Sequence, residues 1–235
     1  MYNGKKIIAI IPARGGSKRI PKKNVKLLCG EPLISYTIKC ALCSKYIDKT
    51  YVSSDSEDVL NISKHFEVGI IKRPPEYATD KAKSIDVMKH VLSYIQTEEN
   101  NNPDIVILLQ PTSPLRTSEK VDDAIKIFVD NGADRVLSVT KRHIGTEWIL
   151  KKDQNQLKFK FENNFDKIRS QDQDETYEIN GSIHLFSRDV ILNSKNYGWG
   201  DKVFPICIGK LEAVDIDDMD DFLIAEALMK RNKRS

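Results

Sequence analysis

Apolar positions along the chain fall into two alternating rhythms. Residues 7–11 read IIAII, a run with almost no polar interruption that suits a strand buried on both faces of a parallel sheet, and Pro12 ends it. Within Pro32–Tyr46, Leu33, Ile34, Ile38, Ala41 and Leu42 recur at helical spacing. The segment KTYVSSD then predicts a strand ending at Asp55, residues 58–66 a helix, and VGIIKR a short strand. Ile85, Met88, Leu92 and Ile95 predict a helix over Ser84–Gln96, with Ser84 as its N-cap. DIVILLQ at 104–110 is a second strongly buried strand, followed by the turn PTSPLR and a helix over residues 119–129. This strand–helix alternation predicts an α/β protein with a doubly wound, mostly parallel sheet.

The rhythm breaks after RVLSV at 135–139. Residues 140–177 are polar, rich in Lys, Asn, Asp and Gln, with short aromatic stretches such as LKFKF. So long a stretch exceeds an ordinary connection and predicts an excursion carrying small strands, serving as a lid, a subunit contact or a surface loop. The core resumes with GSIHLF at 181–186 and FPICIG, and a helix from Asp218 to about Lys230 closes the pattern. One principal domain over residues 1–235, with residues 140–178 inserted in it, is the expected organisation.

Composition narrows the possible partners. The net charge is only +3, so basic segments are local features of a balanced surface, which argues against general binding of nucleic acid. No stretch is long and apolar enough to span a bilayer, and MYNGKKIIAI passes too quickly into a strand to resemble a secretory signal. Cytoplasmic residence and no membrane partner are therefore expected. Cys40 and Cys43 share CxxC spacing, but both fall within the first helical segment and read as small packing residues rather than a redox or zinc pair.

Three constellations carry chemistry. In the first, the opening strand runs into ARGGSKRIPKKN, where Gly15 and Gly16 allow backbone N–H groups to approach a ligand closely. Arg14 can bridge phosphate oxygens with its planar fork, Ser17 can donate a hydroxyl, and Lys18 and Lys23 are mobile point charges. One lysine holding ground-state phosphates would aid binding; one reaching oxygens that gain charge as a phosphorus–oxygen bond breaks would aid the reaction. Asn24 suits a base or ribose edge. The loop is neither a P-loop nor GxGxxG. A solvated surface is the competing reading of so many cations, but open α/β sheets bind ligands at the carboxyl ends of strands, where this loop sits.

The second constellation is LEAVDIDDMDD at 211–221. In extended geometry Asp215 and Asp217 point to one side and Ile216 to the core, and two carboxylates opposite a polyphosphate loop make a natural Mg²⁺ site. The acidic residues 218, 220 and 221 suit a helix N-terminus instead. The third is LLQPTSPLR, where Gln110 at a strand end projects its amide into the ligand crevice; Arg116 could be functional or structural.

IPARGGSKRIPKKN, RPPEYATD, LLQPTSPLR, INGSI and VDIDDMDD stand in the order and at the spacing of acylneuraminate cytidylyltransferases, the CMP-sialic acid synthetases, and the resemblance covers essentially the whole chain. It implies a Rossmann-like fold of the nucleotide-diphospho-sugar transferase type with a small dimerisation excursion between core strands, hence a homodimer. It also implies that CTP, with Mg²⁺, reacts with a nine-carbon α-keto sugar acid to give a CMP-sugar and pyrophosphate. By this resemblance Arg14, Ser17, Lys18 and Lys23 contact the triphosphate, with Lys23 and Arg14 catalytic. Asn24, Arg73 and Asp80 lie near the cytidine, Gln110, Asn180 and Arg169 face the sugar, and Asp215 and Asp217 carry the metal.

Some positions depart from the family pattern. Arg19 stands where the family commonly has glycine, and Glu178 stands two residues before Asn180, where the family often has a cation. Arg169 is displaced by one place, and Lys141, Arg142 and His143 all compete for the role of a cation lent across the dimer. These departures bear on the choice of sugar, with legionaminic, pseudaminic and eight-carbon keto acids as alternatives to N-acetylneuraminic acid. A noncatalytic nucleotide-binding protein of the same fold is the alternative from a different class.

Overall fold

A computed structural model describes residues 1–142, 149–154, 156–160, 175–194 and 198–232. Arg169 and His143 lie outside the described residues. The first strand, β1 (Ile7–Pro12), sits between β4 (Lys49–Ser54) and β6 (Ile105–Leu108) and runs parallel to both. Between β1 and β4 come a small hairpin, β2 (Leu27–Leu28) and β3 (Glu31–Pro32), and the helix α1 (Leu33–Leu42). The hairpin's two-residue turn holds Cys29 at φ 48° and Gly30 at φ 93°, the left-handed pair that such a turn demands. Helix α2 (Glu57–Ser63) leads to the edge strand β5 (Gly69–Lys72), and α3 (Ser84–Glu99) crosses back to β6.

Beyond β6 the chain forms α4 (Ser118–Asp130) and β7 (Arg135–Lys141), then an exposed hairpin, β8 (Leu150–Asp153) with β9 (Gln156–Phe159). It returns as the long strand β10 (Tyr177–Ser187), followed by the short helix α5 (Arg188–Asn193), β11 (Val203–Cys207) and α6 (Met219–Asn232). Seven of these strands form one sheet in the order β11-β7-β10-β6-β1-β4-β5. Only β10 opposes its neighbours in direction, pairing antiparallel with both β6 and β7. The mostly parallel sheet is thus as expected, and the hairpin β8–β9 supplies small strands within the excursion.

The sheet is covered on both faces because β1 buries every isoleucine. Ile7, Ala9 and Ile11 pack with Ile34 and Ile38 of α1 and Val121 and Ile125 of α4, whereas Ile8 and Ile10 pack with Met88, Val91 and Ile95 of α3. Alternate side chains of one strand therefore seed two separate cores. A smaller third cluster joins Ile20, Leu28 and Leu33 to Ile216, Phe222 and Ala225, fastening α6 to the segment after β1.

Helices α2, α4 and α5 begin on side-chain caps: Ser56, Thr117 and Ser187 accept from the backbone N–H groups of Val59, Lys120 and Val190. Ser84 does not act in this way. It is the first helical residue of α3, and Lys83, extended at φ −81° and ψ 144°, occupies the capping position without a side-chain bond. The short elements β2, β3 and α5 had no periodic signal to announce them, being too brief to display one.

His184 on β10 is 3% exposed. Burial, with help from Arg135 and Arg116, lowers its imidazole to about 4. In an unfolded chain the group titrates near ~6.5. The folded value is the lower one, so only the unfolded chain gains a proton between these limits, and stability falls as the pH drops through them. Urea denaturation across this window should register a loss approaching about 3 kcal/mol, and the His184→Leu variant should show a flatter pH slope.

Candidate functional site

The connections from β1 lead outward through β4 to β5, while β6 lies on the other side of β1. Such a reversal opens a crevice at the carboxyl ends of the two central strands. A crevice of ≈ 280 Å³ lies there, with Pro12, Arg14, Ser17, Lys23 and Asn24 along the β1 side and Gln110, Pro111 and Thr112 along the β6 side. Arg73, Tyr77, Asp80 and Ser84 complete its wall. Seven of the site residues expected from sequence, Arg14, Ser17, Lys23, Asn24, Arg73, Asp80 and Gln110, thus line one space.

The loop after β1 is shaped from within. Gly15 N–H donates to Asp55 Oδ1 at 2.9 Å, and Asn24 Nδ2 donates to the Arg14 carbonyl at 2.9 Å. A Cβ on Gly15 would lie 2.9 Å from the Ser56 Cβ, so this close approach requires glycine. Lys22 adopts the left-handed region at φ 52° and turns the chain into a short 3₁₀ segment, Lys23–Val25. That turn aims Lys23 across the crevice, where its Nζ donates to the Ile216 carbonyl at 2.7 Å. The lysine is half-buried, and burial pulls its pKa below the ordinary value while Asp217 and Asp215 push it the other way.

The exposed cations of the loop have carboxylate partners. Arg14 Nη1 lies 2.5 Å from Asp80 Oδ1 and Lys18 Nζ lies 2.5 Å from Asp80 Oδ2. Hydrogen bonds from Lys18 and then Arg14 hold the Asp80 carboxyl below its usual range. Arg19 Nη1 meets Asp217 Oδ2 at 2.8 Å. Arg73 is buried; its Nη2 donates to the Ser53 carbonyl at 2.5 Å and its Nε to Ser53 Oγ at 3.1 Å. Burial lowers Arg73 to about 10, with Asp55 opposing and Arg14 adding to the shift, so the guanidinium stays charged at neutral pH.

The late segment arrives between these groups. Ile216 is fully buried and its N–H bonds the Thr112 carbonyl at 2.8 Å; Asp215 and Asp217 flank it close enough to Lys23 to act on its charge, although neither lines the ≈ 280 Å³ crevice itself. Asp215 Oδ1 accepts from Ser113 Oγ at 3.5 Å. Asp218 accepts from the N–H groups of Asp220 and Asp221, and Asp221 Oδ2 accepts in return from those of Asp217 and Asp218. This reciprocal cap, at the positive end of α6, fixes the backbone that carries Asp217.

Gln110 is held by its own backbone: its carbonyl accepts from Arg116 Nη2 at 2.6 Å and from Thr37 Oγ1 at 3.4 Å. A Cβ on Gly181 would lie 3.1 Å from Gln110 Oε1 and 3.7 Å from Asp215 Oδ2, so Gly181 lets β10 pass close to both. Asn180 borders a separate groove of ≈ 510 Å³ together with Lys141, Arg142, Glu178 and Asp215. Its amide is occupied within the fold: Nδ2 donates to Thr140 Oγ1 at 2.8 Å, and Oδ1 accepts from Ser138 Oγ and the Ser182 N–H. Those bonds hold the irregularity where the β10–β7 register shifts between Ile179 and His184.

Sequence reasoning did not single out Asp55, Thr112 or the Ile216 carbonyl. Asp55 was detectable by its place at a strand end; the carbonyls belong to the backbone and leave no residue-type signal. An apolar chamber of ≈ 460 Å³ also went unseen. It adjoins the crevice through Ser84 and Gln110 and is walled by Ile85, Met88, Leu108 and Phe186, residues whose spacing reads as ordinary core.

Comparison with known proteins gives concordant results. A family model described as cytidylyltransferase matches residues 8–198. The N-acylneuraminate cytidylyltransferase of Escherichia coli is 34% identical over 230 residues, covering 97% of this chain and 53% of that protein. The CMP-N,N'-diacetyllegionaminic acid synthase of Legionella pneumophila is 32% identical over 232 residues, covering 98% of this chain and 99% of that protein. The chain therefore spans about half the length of the Escherichia coli relative and nearly all of the Legionella one. A solved CMP:2-keto-3-deoxy-manno-octonic acid synthetase complexed with CTP has the same fold, with a TM-score of 0.72 at 18% identity over 97% of this chain and 99% of that one.

Arg116 illustrates how the site is supported from below. It is 5% exposed, and burial lowers it to about 10. Its Nε donates to the Ser182 carbonyl at 2.6 Å, as its Nη2 does to that of Gln110. Arg116→Met would leave both carbonyls without this donor, and urea denaturation should show a loss of about 2–4 kcal/mol.

Proposed function

Because this chain belongs to the cytidylyltransferase family, we propose that it transfers CMP from CTP to the anomeric hydroxyl of a nine-carbon α-keto sugar acid, N-acetylneuraminic acid or a related nonulosonic acid, with release of pyrophosphate. The observation that carries this reading is the meeting of Lys23 with the Asp215–Asp217 segment across a crevice that also holds Arg14, Ser17, Arg73 and Gln110.

In this reading Arg14, Ser17 and Lys18 bind the triphosphate. Lys23 and Arg14 face the α-phosphorus and stabilise the charge that develops as the phosphorus–oxygen bond to pyrophosphate breaks. Asn24 and Arg73 belong to the nucleoside end, where Arg73 is braced against Ser53. Asp80, salt-bridged to Arg14 and Lys18, lies between that end and the phosphate cations. Gln110 orients the sugar at the mouth of the apolar chamber, whose wall of Ile85, Met88 and Phe186 suits an acyl substituent. Asn180 contributes by holding Gly181 against Gln110 and Asp215. No covalent protein nucleophile is needed, since the sugar hydroxyl attacks the phosphorus directly.

The donors fit Mg²⁺. Asp215 and Asp217 are hard oxygen ligands that flank the buried Ile216, whose carbonyl meets the Lys23 ammonium. Two carboxylates would leave the rest of an Mg²⁺ coordination shell to water and substrate phosphates, the usual arrangement for this ion. Bound there, the ion would neutralise charge on the phosphate oxygens and the leaving pyrophosphate.

A homodimer formed through the excursion is part of the proposal. The hairpin β8–β9 exposes Leu150, Leu157 and Phe159, and β10 exposes Tyr177 and Ile179, an apolar grouping suited to a second copy. The near full-length match to the legionaminic acid synthase supports that sugar as the second reading.

Incubation with CTP, Mg²⁺ and a panel of keto-sugar acids, read by chromatography, should yield pyrophosphate and a CMP-sugar with one or more nonulosonic acids, and excess EDTA should abolish turnover. Absence of product from every member would remove the proposal. Lys23→Ala should lower kcat by about 10²–10³-fold while changing CTP affinity, measured calorimetrically, by less than about tenfold. Equal losses in both would make Lys23 a ground-state binding residue.

A further inference from the structure

We infer that Arg19 is a positioning residue that couples metal binding to nucleotide binding: its guanidinium holds Asp217 until a triphosphate arrives, then moves to the phosphate oxygens and frees the carboxylate for the metal. The inference rests on the proposed reading of CTP and of Asp217, and adds to it a residue that the family resemblance places outside the common pattern.

The pair is built into the fold. Ile20 and Ile216 are both buried in the cluster that fastens α6, so their sequence neighbours Arg19 and Asp217 are delivered to the same rim. There the guanidinium and carboxylate lie 2.8 Å apart. The backbone of Asp217 is fixed by its N–H bond to Asp221, at 2.9 Å, and that of Arg19 by the burial of Ile20. The two side chains, in contrast, are 63% and 59% exposed, so their bond is made in water and is readily exchanged.

Geometry also supplies the alternative partner. Arg19 follows Lys18, which with Arg14 holds Asp80 on the nucleoside side, and Lys23 borders the same crevice. Arg19 lies near enough to Lys23 for its charge to act on that ammonium, so phosphate oxygens drawn to Lys23 would come within reach of the Arg19 charge. Only one Asp217 oxygen meets Arg19, whereas a triphosphate carries several charged oxygens that can engage both arms of the guanidinium. Conversely, an Asp217 oxygen engaged by Arg19 has less capacity to bind a divalent ion, and the positive charge beside it repels one. Both effects disappear when Arg19 turns to phosphate. By linkage, whatever the nucleotide gains for the metal, the metal gains for the nucleotide.

The test uses Mn²⁺ as the metal probe, titrated into the nucleotide-free protein by electron paramagnetic resonance, and separate CTP binding by calorimetry in EDTA. Arg19→Ala should tighten Mn²⁺ binding about fivefold, the effect of removing one nearby unit charge in water, and should weaken metal-free CTP binding by a similar factor. A purely structural role would weaken both. Arg19→Gln, which keeps the stem, should behave like the alanine variant, and Arg19→Lys should remain nearer the parent in Mn²⁺ affinity. If Arg19→Ala leaves Mn²⁺ affinity unchanged or weaker while Asp217→Asn reduces it, the coupling is overturned and the metal reading stands. Should Asp217→Asn also leave Mn²⁺ binding unchanged, the metal reading fails and the coupling with it. Tighter Mn²⁺ binding with unaltered CTP binding would support the hold on Asp217 and overturn the transfer to phosphate.

Discussion

The bond from the Lys23 ammonium to the Ile216 carbonyl, 2.7 Å long and half-buried, joins parts of the chain that lie 193 residues apart. A charge-assisted bond of this kind is stronger than one between neutral groups, and partial burial makes its geometry matter more. Its acceptor is itself immobilised: Ile216 is fully buried and its N–H bonds Thr112, the second residue after Gln110. Three segments, the loop after β1, the turn after β6 and the approach to α6, are thereby stitched at one point. The join brings cations from the first close to carboxylates from the last, near enough for Asp217 and Asp215 to act on the Lys23 charge.

Around this point the fold uses buried arginines as scaffolding. Arg73 and Arg116 are each 5% exposed, and in both burial lowers the pKa to about 10. A charge so placed is costly unless its donors are used. Arg73 donates to Ser53 at the end of β4, and Arg116 to the carbonyls of Gln110 and Ser182 from β6's exit and β10. Arg73 thereby braces the end of β4, and Arg116 ties the segment after β6 to β10. Arg73 serves twice, since it also borders the crevice beside Arg14.

The parts legible in sequence were those whose physics repeats along the chain or crowds one chemistry into a short run. The unbroken apolar run of β1 announced a strand covered on both faces, and the division of its side chains between the α1/α4 and α3 cores bears this out. Ile216 was expected to turn inward between two aspartates, and it does. Gln110 was placed in the crevice from its position at a strand end. Capping was less legible: Ser84 has the right residue type, but the extended backbone belongs to Lys83, so the helix starts one residue earlier than a serine cap would have it. Arg116, ambiguous in sequence, is structural because its acceptors are backbone carbonyls, one in the turn after β6 and one on the distant strand β10. Asp80 is engaged by Arg14 and Lys18, a partnership over more than sixty intervening positions that no local pattern encodes.

The site also separates what must stay fixed from what can change partners. Ile20, Ile216, Arg73 and Arg116 are buried, while the side chains of Arg14, Lys18, Arg19, Asp80 and Asp217 are between 39% and 78% exposed. Exposed ion pairs in water are weak and screened by salt, so their partners can be exchanged at little cost, whereas the backbone that presents them is set by burial. Each cation of the loop has a carboxylate close by, which limits the self-repulsion that so many positive charges would otherwise create. A polyphosphate entering such a site replaces one set of anionic partners with another. Specificity then depends less on the number of charges than on their placement, and that placement is set by the buried residues beneath them.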